Sequence, residues 1–344
     1  MARPTLPYPP RISLGRFPTP VEPLARLRLR PGAGTVWIKR DDLSGTALSG
    51  NKIRKLEFLL ADALERRCDV VLTCGGIQSN HARATAVAAR RLGLDSLLLL
   101  RGEAPPIPDG NVLLDRLAGA EIVFISPEEY ADRRALLARE AKRLEAEGRR
   151  PYVIPEGGSN ALGAWGYVAM LEELWEQGVA DPIRRLFFAT GSAGTLAGLH
   201  LGKRLLDLPL RIEGVAVCDN EAYFRDRVLE ICTDFVDRFG AGTIPDREEI
   251  HVIEGYRGPG YAKTYPRLLD LVRRVAGEEG LFLDPVYTGK AFLAMADRLA
   301  DGTIPPEEEV GFLHTGGIFS LFAYREELYP PATPPSAGEA TEPS

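Results

Sequence analysis

The sequence predicts an α/β fold in which parallel sheets are covered by helices on both faces. The first observation is that short apolar runs alternate with longer segments whose apolar residues recur at helical spacing. The second is that this alternation continues along almost the whole chain, which is typical of parallel sheets because their connections are helices. About nine strands are many for one sheet in 344 residues, so we expect two α/β domains.

The elements follow in order. Val36–Lys39 is predicted as a strand, and a helix follows whose apolar residues share one face: Ile53, Leu56, Leu59, Leu60, Ala63 and Leu64. Strands and helices then alternate over Val70–Thr73, Ala82–Leu92, Ser96–Leu100, Val112–Leu117, Ile122–Ile125, Pro127–Glu147, Tyr152–Ile154, Leu162–Gln177, Leu186–Ala189 and Thr195–Leu206. The last third adds Ile212–Val217, Glu221–Phe239, Ile250–Ile253, Tyr265–Ala276, Leu281–Leu283, Lys290–Leu299, Val310–His314 and Phe319–Arg325. Functional residues are expected in the loops between strand ends and helix starts.

Composition excludes several classes of protein. Hydrophobic residues make up 45% and charged residues 26%, which is unlike a disordered chain or a membrane bundle. The net charge is -6, so the basic excess of a nucleic-acid or anionic-membrane binder is missing, and neither partner is expected. The N-terminus shows no signal segment, and runs such as Leu97–Leu100 are far shorter than the roughly 20 residues of a membrane span.

Cysteine and histidine spacing predicts no metal site. The four cysteines form no C-x-x-C pair and the four histidines show no ligand spacing. Buried free thiols in a cytoplasmic protein are therefore expected. The segment 329–344 is rich in Pro, Ala, Ser and Glu and is expected to be a disordered tail.

Lysine is scarce, with seven among the 42 basic side chains, and two of the seven stand at one predicted helix start. Lys52 ends the loop 44–52, and Lys55 follows one turn later. The positive end of a helix dipole is unfavourable for an ammonium group and lowers its pKa. This favours a lysine that acts as a base or as a Schiff-base nucleophile, although a surface lysine in a flexible loop would give the same pattern.

Two further strand-to-helix loops suggest anion binding. In the loop 73–81, paired glycines permit close backbone approach, and Ser79 or Asn80 can cap a helix whose free amides could hold a carboxylate. The loop 189–195, with Thr190, Ser192 and Thr195, is a candidate phosphate cradle. It matches neither the dinucleotide nor the P-loop pattern, so a monophosphate is favoured. Taken singly, each loop could equally be a capped turn.

Three more segments, 258–261, 283–290 and 312–317, carry tyrosines, threonines and glycines but justify no role alone. Together with the other loops they suggest one ligand. A reactive lysine, a monophosphate cradle and a carboxylate-binding helix start are what pyridoxal phosphate requires when it acts on an amino acid.

Six segments carry a resemblance to a known family, in register from about residue 17 to 324: SGNKIRKLE, GGIQSNHARATA, PYVIPEGGSNALGAWGY, ATGSAGTLAG, LDPVYTGKA and FLHTGG. They resemble the pyridoxal-phosphate enzymes of the tryptophan synthase β type, and within them the group of D-cysteine desulfhydrases and 1-aminocyclopropane-1-carboxylate deaminases. The resemblance implies two open, mostly parallel twisted sheets flanked by helices, with the cofactor in the cleft between two domains.

The resemblance also implies a role for each matching residue. Lys52 matches the lysine that holds the cofactor covalently, and Asn80 the residue that hydrogen-bonds its phenolic oxygen. Lys55 and the loop of Thr190, Gly191, Ser192, Ala193, Gly194 and Thr195 match its phosphate site. The residues implied for the substrate are Gln78, Ser79, Asn80, His81, Tyr261, Tyr287 and Thr288. Lys52, Ser79 and the two tyrosines are the implied catalytic residues, with Lys52 as base and one tyrosine as acid.

Two positions distinguish the branches of that group. The deaminases have glutamate where this chain has Thr288 and leucine where it has Thr315, so both residues resemble the desulfhydrases. Thr315 is the implied cofactor neighbour. The threonine hydroxyl that replaces the deaminases' glutamate makes the cofactor a weaker electron sink than a carboxylate would, which is sufficient when the leaving group is a thiolate.

The activity implied is β-elimination of D-cysteine to pyruvate, hydrogen sulfide and ammonia. Cyclopropane deamination and cysteate cleavage on the same scaffold stay open, and a non-enzymatic cofactor carrier is a further alternative. The resemblance implies a large cofactor-binding domain of residues 1–48 and 164–328, a small domain of residues 49–163, and a homodimer.

Overall fold

The computed structural model describes residues 5–29, 34–178 and 182–330. Most of the tail for which disorder is predicted, residues 331–344, lies outside the described residues. Among the described helices, none is both long enough and apolar enough to cross a membrane.

Ten strands form two separate sheets in the described ranges. They are β1 (Val21–Pro23), β2 (Val36–Lys39), β3 (Val70–Gly76), β4 (Asp95–Arg101), β5 (Glu121–Ile125), β6 (Pro151–Val153), β7 (Ile183–Thr190), β8 (Arg211–Ala216), β9 (His251–Ile253) and β10 (Glu309–Leu313). The six-stranded sheet has the order β1-β2-β10-β7-β8-β9, and the four-stranded sheet the order β5-β4-β3-β6. All pairs are parallel except β1 with β2. The predicted fold class of two mostly parallel sheets is confirmed.

Helices connect and cover these strands. They are α1 (Lys52–Glu65), α2 (Asn80–Arg91), α3 (Gly110–Leu117), α4 (Pro127–Ala131), α5 (Arg133–Ala146), α6 (Ala161–Glu176), α7 (Gly194–Leu205), α8 (Glu221–Phe239), α9 (Pro266–Glu279), α10 (Thr288–Ala300), α11 (Ile318–Leu321) and α12 (Arg325–Leu328). The apolar α6 is buried on most of its surface because it packs against α1, α7 and α8 at once.

Glycines let α6 approach both neighbouring helices. A Cβ on Gly166 would lie 2.6 Å from the backbone of Arg54 in α1, and one on Gly198 in α7 would lie 2.4 Å from the carbonyl oxygen of Ala164. The main hydrophobic core is centred on these crossings, with Trp165 fully buried in it. The close packing sets the positions of the amino-terminal ends of α1 and α7, where the site lies.

The structure differs from the prediction in three elements. The short antiparallel strand β1 was not predicted, since it ends on a proline and lies at the sheet edge. The helix predicted over Pro127–Glu147 is divided at Asp132, whose φ of -104° and ψ of 44° interrupt the helical path. Leu281–Leu283 is wrong as a strand, because this segment, in which Phe282 is exposed, lies outside both ladders and leads into the turn at Asp284.

Candidate active site

A cleft lies where the carboxyl ends of β3 in one sheet and of β7 and β10 in the other meet the starts of α1, α2, α7 and α10. Its empty volume is about 650 Å³, including the part open to solvent. The residues that line it are Asn51, Lys52, Cys74, Gly75, Gly76, Ser79, Asn80, His81, Glu156, Gly157, Ala189, Thr190, Gly191, Ser192, Ala193, Thr195, Tyr261, Tyr287 and Thr315. The structure thus brings seven separate stretches of the chain to one place.

Four predicted site residues are not part of this lining. The carboxamide of Gln78 binds the start of α3 instead, and Thr288 is fully buried and donates to the Asp284 carboxylate over 2.7 Å. Lys55 donates a hydrogen bond to the carbonyl oxygen of Gly157, and the amide of Gly194 donates one to Ser159 Oγ. These four residues are therefore not part of the cleft surface.

Lys52 is the first residue of α1, and its amine makes no hydrogen bond within the described residues. Burial lowers the pKa of this amine to about 8, an effect that the Glu156 carboxylate opposes in part. About a tenth of the amine is therefore neutral at pH 7, far more than for a lysine in water, and only the neutral form can act as a nucleophile or a base.

Lys55 lies behind the loop 189–195, the candidate phosphate cradle. Its Nζ donates to the Gly157 carbonyl over 3.1 Å and lies 3.5 Å from Ser159 Oγ. Ser159 Oγ in turn donates to Ser192 Oγ over 2.9 Å and accepts from the Gly194 amide over 3.2 Å. Burial and then the charge of Lys52 lower the pKa of Lys55 well below its usual value. Lys55 is thus connected to the loop 190–195 through Ser159.

The loop itself offers a place for an anion. Thr190 Oγ1 is buried without a hydrogen-bond partner, and Ala193 has a φ of 63° at the start of α7, which begins without a side-chain cap. Thr195 Oγ1 accepts from Asn51 Nδ2 over 3.3 Å, which ties the start of α7 to the start of α1. An orphaned hydroxyl beside a helix start whose own N-cap residue, Ala193, supplies no side-chain acceptor fits a bound phosphate group.

The loop after β3 is shaped by Ser79, which caps α2 by accepting from the Ala82 amide over 3.1 Å. A Cβ on Gly75 would lie 2.4 Å from Ser79 Oγ, so the close approach requires glycine. Asn80 Oδ1 accepts from Asn111 Nδ2 over 3.0 Å, which leaves the Asn80 Nδ2 to donate elsewhere. The first turn of α2 therefore presents donors to the cleft.

Tyr261 and Tyr287 form a pair that lines the cleft. Their hydroxyl oxygens are 2.5 Å apart, and their rings meet edge to face. Burial raises the pKa of Tyr261 to about 12, although the hydrogen bond with Tyr287 opposes the rise. Burial and then Tyr261 raise the pKa of Tyr287 well above its usual value. Both hydroxyls hold their protons at neutral pH and can donate them.

His81 and Thr315 complete the predicted lining. His81 Nε2 lies 2.8 Å from Thr73 Oγ1, and burial, with Lys52 and Lys55, lowers the pKa of the imidazole well below its usual value. His81 is therefore neutral. Thr315 follows β10, and its carbonyl accepts from the Asn51 amide over 3.1 Å.

Glu156 is a lining residue to which the sequence reasoning assigned no role. Arg133 pairs with its Oε2 at 2.7 Å, and Tyr130 donates to its Oε1 over 2.5 Å. Burial and then Glu156 raise the pKa of Cys74 to about 12, so this thiol stays protonated. The sequence held one indication of its importance, because Glu156 belongs to PYVIPEGGSN, part of a segment that carries the family resemblance. A single glutamate in a loop forms no motif with its neighbours, so the residue pattern alone does not identify it.

Comparison with known proteins adds a family match. The model of the family described as "Pyridoxal-phosphate dependent enzyme" matches residues 12–316. A Thermotoga maritima protein, named provisionally as a 1-aminocyclopropane-1-carboxylate deaminase, is 44% identical over 319 residues, which are 92% of this chain and 99% of that one. A D-cysteine desulfhydrase of Salmonella paratyphi A is 39% identical over 325 residues, 93% and 97% of the two chains.

A third relative carries both activities in its name. It is the mitochondrial bifunctional D-cysteine desulfhydrase/1-aminocyclopropane-1-carboxylate deaminase of Arabidopsis thaliana, 41% identical over 322 residues that cover 90% of this chain and 79% of that one. Among solved structures, an ACC deaminase homologue superposes with a TM-score of 0.83 at 38% identity, covering 93% of this chain and 95% of the other.

Proposed function

Because the chain belongs to the family of pyridoxal-phosphate dependent enzymes, we propose that it catalyses the β-elimination of D-cysteine to pyruvate, hydrogen sulfide and ammonia. Its cofactor is pyridoxal phosphate. The observation that carries the proposal is that one cleft joins the Lys52 amine, the helix start at Ser79 and the tyrosine pair. The two relatives named as D-cysteine desulfhydrases support the choice of substrate.

The residues of the cleft fit this cofactor. Lys52 would hold its aldehyde carbon, and the orphaned Thr190 hydroxyl with the start of α7 would hold its phosphate. Asn80 would donate to its phenolic oxygen, and Thr315 would offer its ring nitrogen a neutral partner. When bound, the cofactor supplies an electron sink for the pair left on the substrate Cα.

The chain's own groups then supply binding and proton transfer. The Ser79 hydroxyl and the first amides of α2 bind the substrate carboxylate. Once the substrate amino group has replaced it, the Lys52 amine, whose pKa is near 8, would remove the proton from Cα. A hydroxyl of the Tyr261–Tyr287 pair would donate a proton to the sulfur as the bond between Cβ and sulfur breaks. The 2-aminoacrylate that remains reacts with water and gives pyruvate and ammonia.

A second candidate is deamination of 1-aminocyclopropane-1-carboxylate, which the name of the most similar of these relatives favours. The two candidates differ in the leaving group. Opening a ring without a good leaving group demands a stronger electron sink than breaking a bond to sulfur does, and at position 288 this chain has threonine in place of the deaminases' glutamate. Because Thr288 lies outside the cleft lining, that difference carries less weight than its sequence position suggests. Thr315, which stands where the deaminases have leucine, lines the cleft and favours D-cysteine.

The test is a substrate panel with the purified holoenzyme. D-cysteine, L-cysteine, cysteate and 1-aminocyclopropane-1-carboxylate are compared at equal concentration, and pyruvate or 2-oxobutyrate is measured. We expect kcat/KM to be highest for D-cysteine. A higher value on the cyclopropane substrate or on cysteate would overturn the choice, and no turnover of any amino acid would indicate a cofactor carrier.

We further propose that the protein acts as a cytoplasmic homodimer with the two domains 1–48 plus 164–328 and 49–163. All four cysteines are free thiols, which suits a reducing compartment, although Cys68 and Cys218 are only partly buried.

The domain division follows the two sheets. The four-stranded sheet lies within 49–163, and the strands of the six-stranded sheet lie within 1–48 and 164–328. Light scattering tests the dimer, and limited proteolysis tests the domain boundaries.

A further inference from the structure

A fully buried arginine lies behind the cleft and connects two of its loops. Arg83 in α2 donates through Nη1 to the carbonyl of Ala47 over 2.6 Å and through Nη2 to that of Ser49 over 3.0 Å. Both carbonyls belong to the loop that leads to Lys52. A charge buried in this way is costly, and burial lowers the pKa of Arg83 to about 10 against the opposing effect of Asp115.

The third donor of Arg83 binds Asn111, the second residue of α3. Arg83 Nε donates to Asn111 Oδ1 over 3.2 Å, and Asn111 is also fully buried. Because a guanidinium group can only donate, the carboxamide of Asn111 must present its oxygen to Arg83. Its Nδ2 therefore faces the other way, where it donates to the Gln78 carbonyl and to Asn80 Oδ1, each over 3.0 Å.

This chain of contacts fixes which atom of Asn80 is free. With Oδ1 engaged by Asn111, the Nδ2 of Asn80 remains as its donor, and within the described residues no group accepts from it. Gln78 fixes the start of α3 relative to the loop before α2. Its Oε1 accepts from the Asn111 amide over 2.8 Å, and its Nε2 donates to the Asp109 carbonyl over 3.0 Å. Asn80 lines the cleft, whereas Arg83 and Asn111 do not.

We propose that Arg83 and Asn111 are positioning residues that set the orientation of the Asn80 carboxamide, so that an N–H group and not the carbonyl is presented to the phenolic oxygen of the cofactor. The proposal rests on the role that the proposed function gives to Asn80. An N–H donor stabilises the ionised form of that oxygen, and a carbonyl in its place would repel it. Oriented second-layer contacts of this kind are worth roughly 10- to 100-fold at metal sites.

The variant Asn111→Asp tests this directly. An aspartate would still accept from Arg83 but could no longer donate to Asn80, so the Asn80 carboxamide would turn its NH2 group towards the new carboxylate. In the holoenzyme without substrate, the visible absorbance of the bound cofactor is titrated against pH. We expect its midpoint to rise by about one unit, a tenfold change in proton affinity. An unchanged midpoint in a folded variant would overturn the proposal.

Two comparisons separate positioning from a general loss of structure. Asn220→Asp makes the same chemical change at the cap of α8, where the side-chain oxygen accepts from the Tyr223 amide over 2.8 Å, and should leave the midpoint unchanged. In an Asn80→Ala background, Asn111→Asp should add no further shift, because its effect passes through Asn80. An equal shift in that background would contradict the proposal.

If Asn111→Asp does not fold, Arg83→Lys provides the measurement. Lysine keeps the positive charge but lacks the fork that binds Asn111 and both loop carbonyls together. A rise of the midpoint in the same direction supports the proposal, and an unchanged midpoint opposes it. Because these titrations contain no substrate, they are independent of which amino acid the enzyme consumes.

Discussion

At the scale of single residues, the amine of Lys52 is the group whose chemistry the fold changes most usefully. A lysine in water is almost fully protonated at neutral pH, whereas burial brings the pKa of Lys52 to about 8 despite the attraction of Glu156. Since only the neutral amine can attack an aldehyde, the rate of cofactor attachment should follow the neutral fraction.

The corresponding prediction concerns the apoenzyme. The rate at which it forms the covalent cofactor adduct, followed by absorbance, should rise with pH up to about 8 and level off above it. Free Nα-acetyl-lysine is the control, and its rate should continue to rise towards pH 10 or so. A rate for the protein that also rises to that pH would show that burial does not lower this pKa.

Sequence reasoning was most successful for residues whose type and place are both unusual. Lys52 at a helix start and Ser79, which follows a glycine pair by three residues, are identified in this way, and the structure places both in the cleft. It was least successful where the role depends on a partner distant in sequence. Gln78 and Thr288 have suitable side chains, but Asn111 and Asp284 engage them outside the cleft lining.

At the scale of elements, the amino-terminal end of α1 is held in place by its crossing with α6. The crossing is close because Gly166 has no side chain, and a Cβ there would lie 2.6 Å from the backbone carbonyl of Arg54. Neither backbone can move without shifting the helix that carries Lys52.

We therefore predict that Gly166→Ala lowers the free energy of unfolding by about 1–3 kcal/mol, as overpacking does. The matched control is Gly277→Ala in the exposed part of α9, where nothing lies within 4 Å of the new Cβ. Helix propensity predicts a gain of about 0.8–1 kcal/mol there. Denaturant unfolding measures both, and a neutral Gly166→Ala would show that the crossing can relax.

The alternation of strands and helices was predictable because apolar periodicity is a local property of the chain. The exceptions have non-local causes. Leu281–Leu283 is as apolar as a strand, but β10 reaches its place beside β2 and β7, so this segment packs without a ladder. The pairing of strands into two sheets depends on contacts between residues far apart, which periodicity does not encode.

At the scale of the whole molecule, a buried ionic network joins the segment before α1 to α1 and α6. Asp41 is fully buried and accepts from Arg54 Nη2 over 2.7 Å and from the Tyr167 hydroxyl over 2.8 Å. Arg54 also pairs with Glu173 at 2.9 Å. Burial alone would raise the pKa of Asp41, but Arg54 holds it below its usual value, so the carboxylate stays ionised.

Removing this charge should be costly, because Arg54 would stay buried with one partner fewer. Asp41→Asn is predicted to lower the free energy of unfolding by about 3–5 kcal/mol at pH 7. The exposed pair of Arg274 and Glu278 gives the comparison. There, Glu278→Gln should change the free energy of unfolding by less than about 0.5 kcal/mol. The penalty of Asp41→Asn should shrink as the pH falls through the lowered pKa of Asp41, where the native carboxylate is also protonated. If Asp41→Asn and Glu278→Gln changed the free energy of unfolding by similar amounts, the claim that the buried network stabilises the fold would be wrong.

The central claim is that Lys52 carries the cofactor, and its most direct test is to find the labelled residue. Borohydride reduction of the holoenzyme fixes the cofactor to its lysine, and trypsin then separates Lys52 from Lys55 because Arg54 lies between them. Mass spectrometry should find the added mass on Lys52, with none in the Lys52→Ala variant. Added mass on Lys55 or on another of the seven lysines would contradict the account.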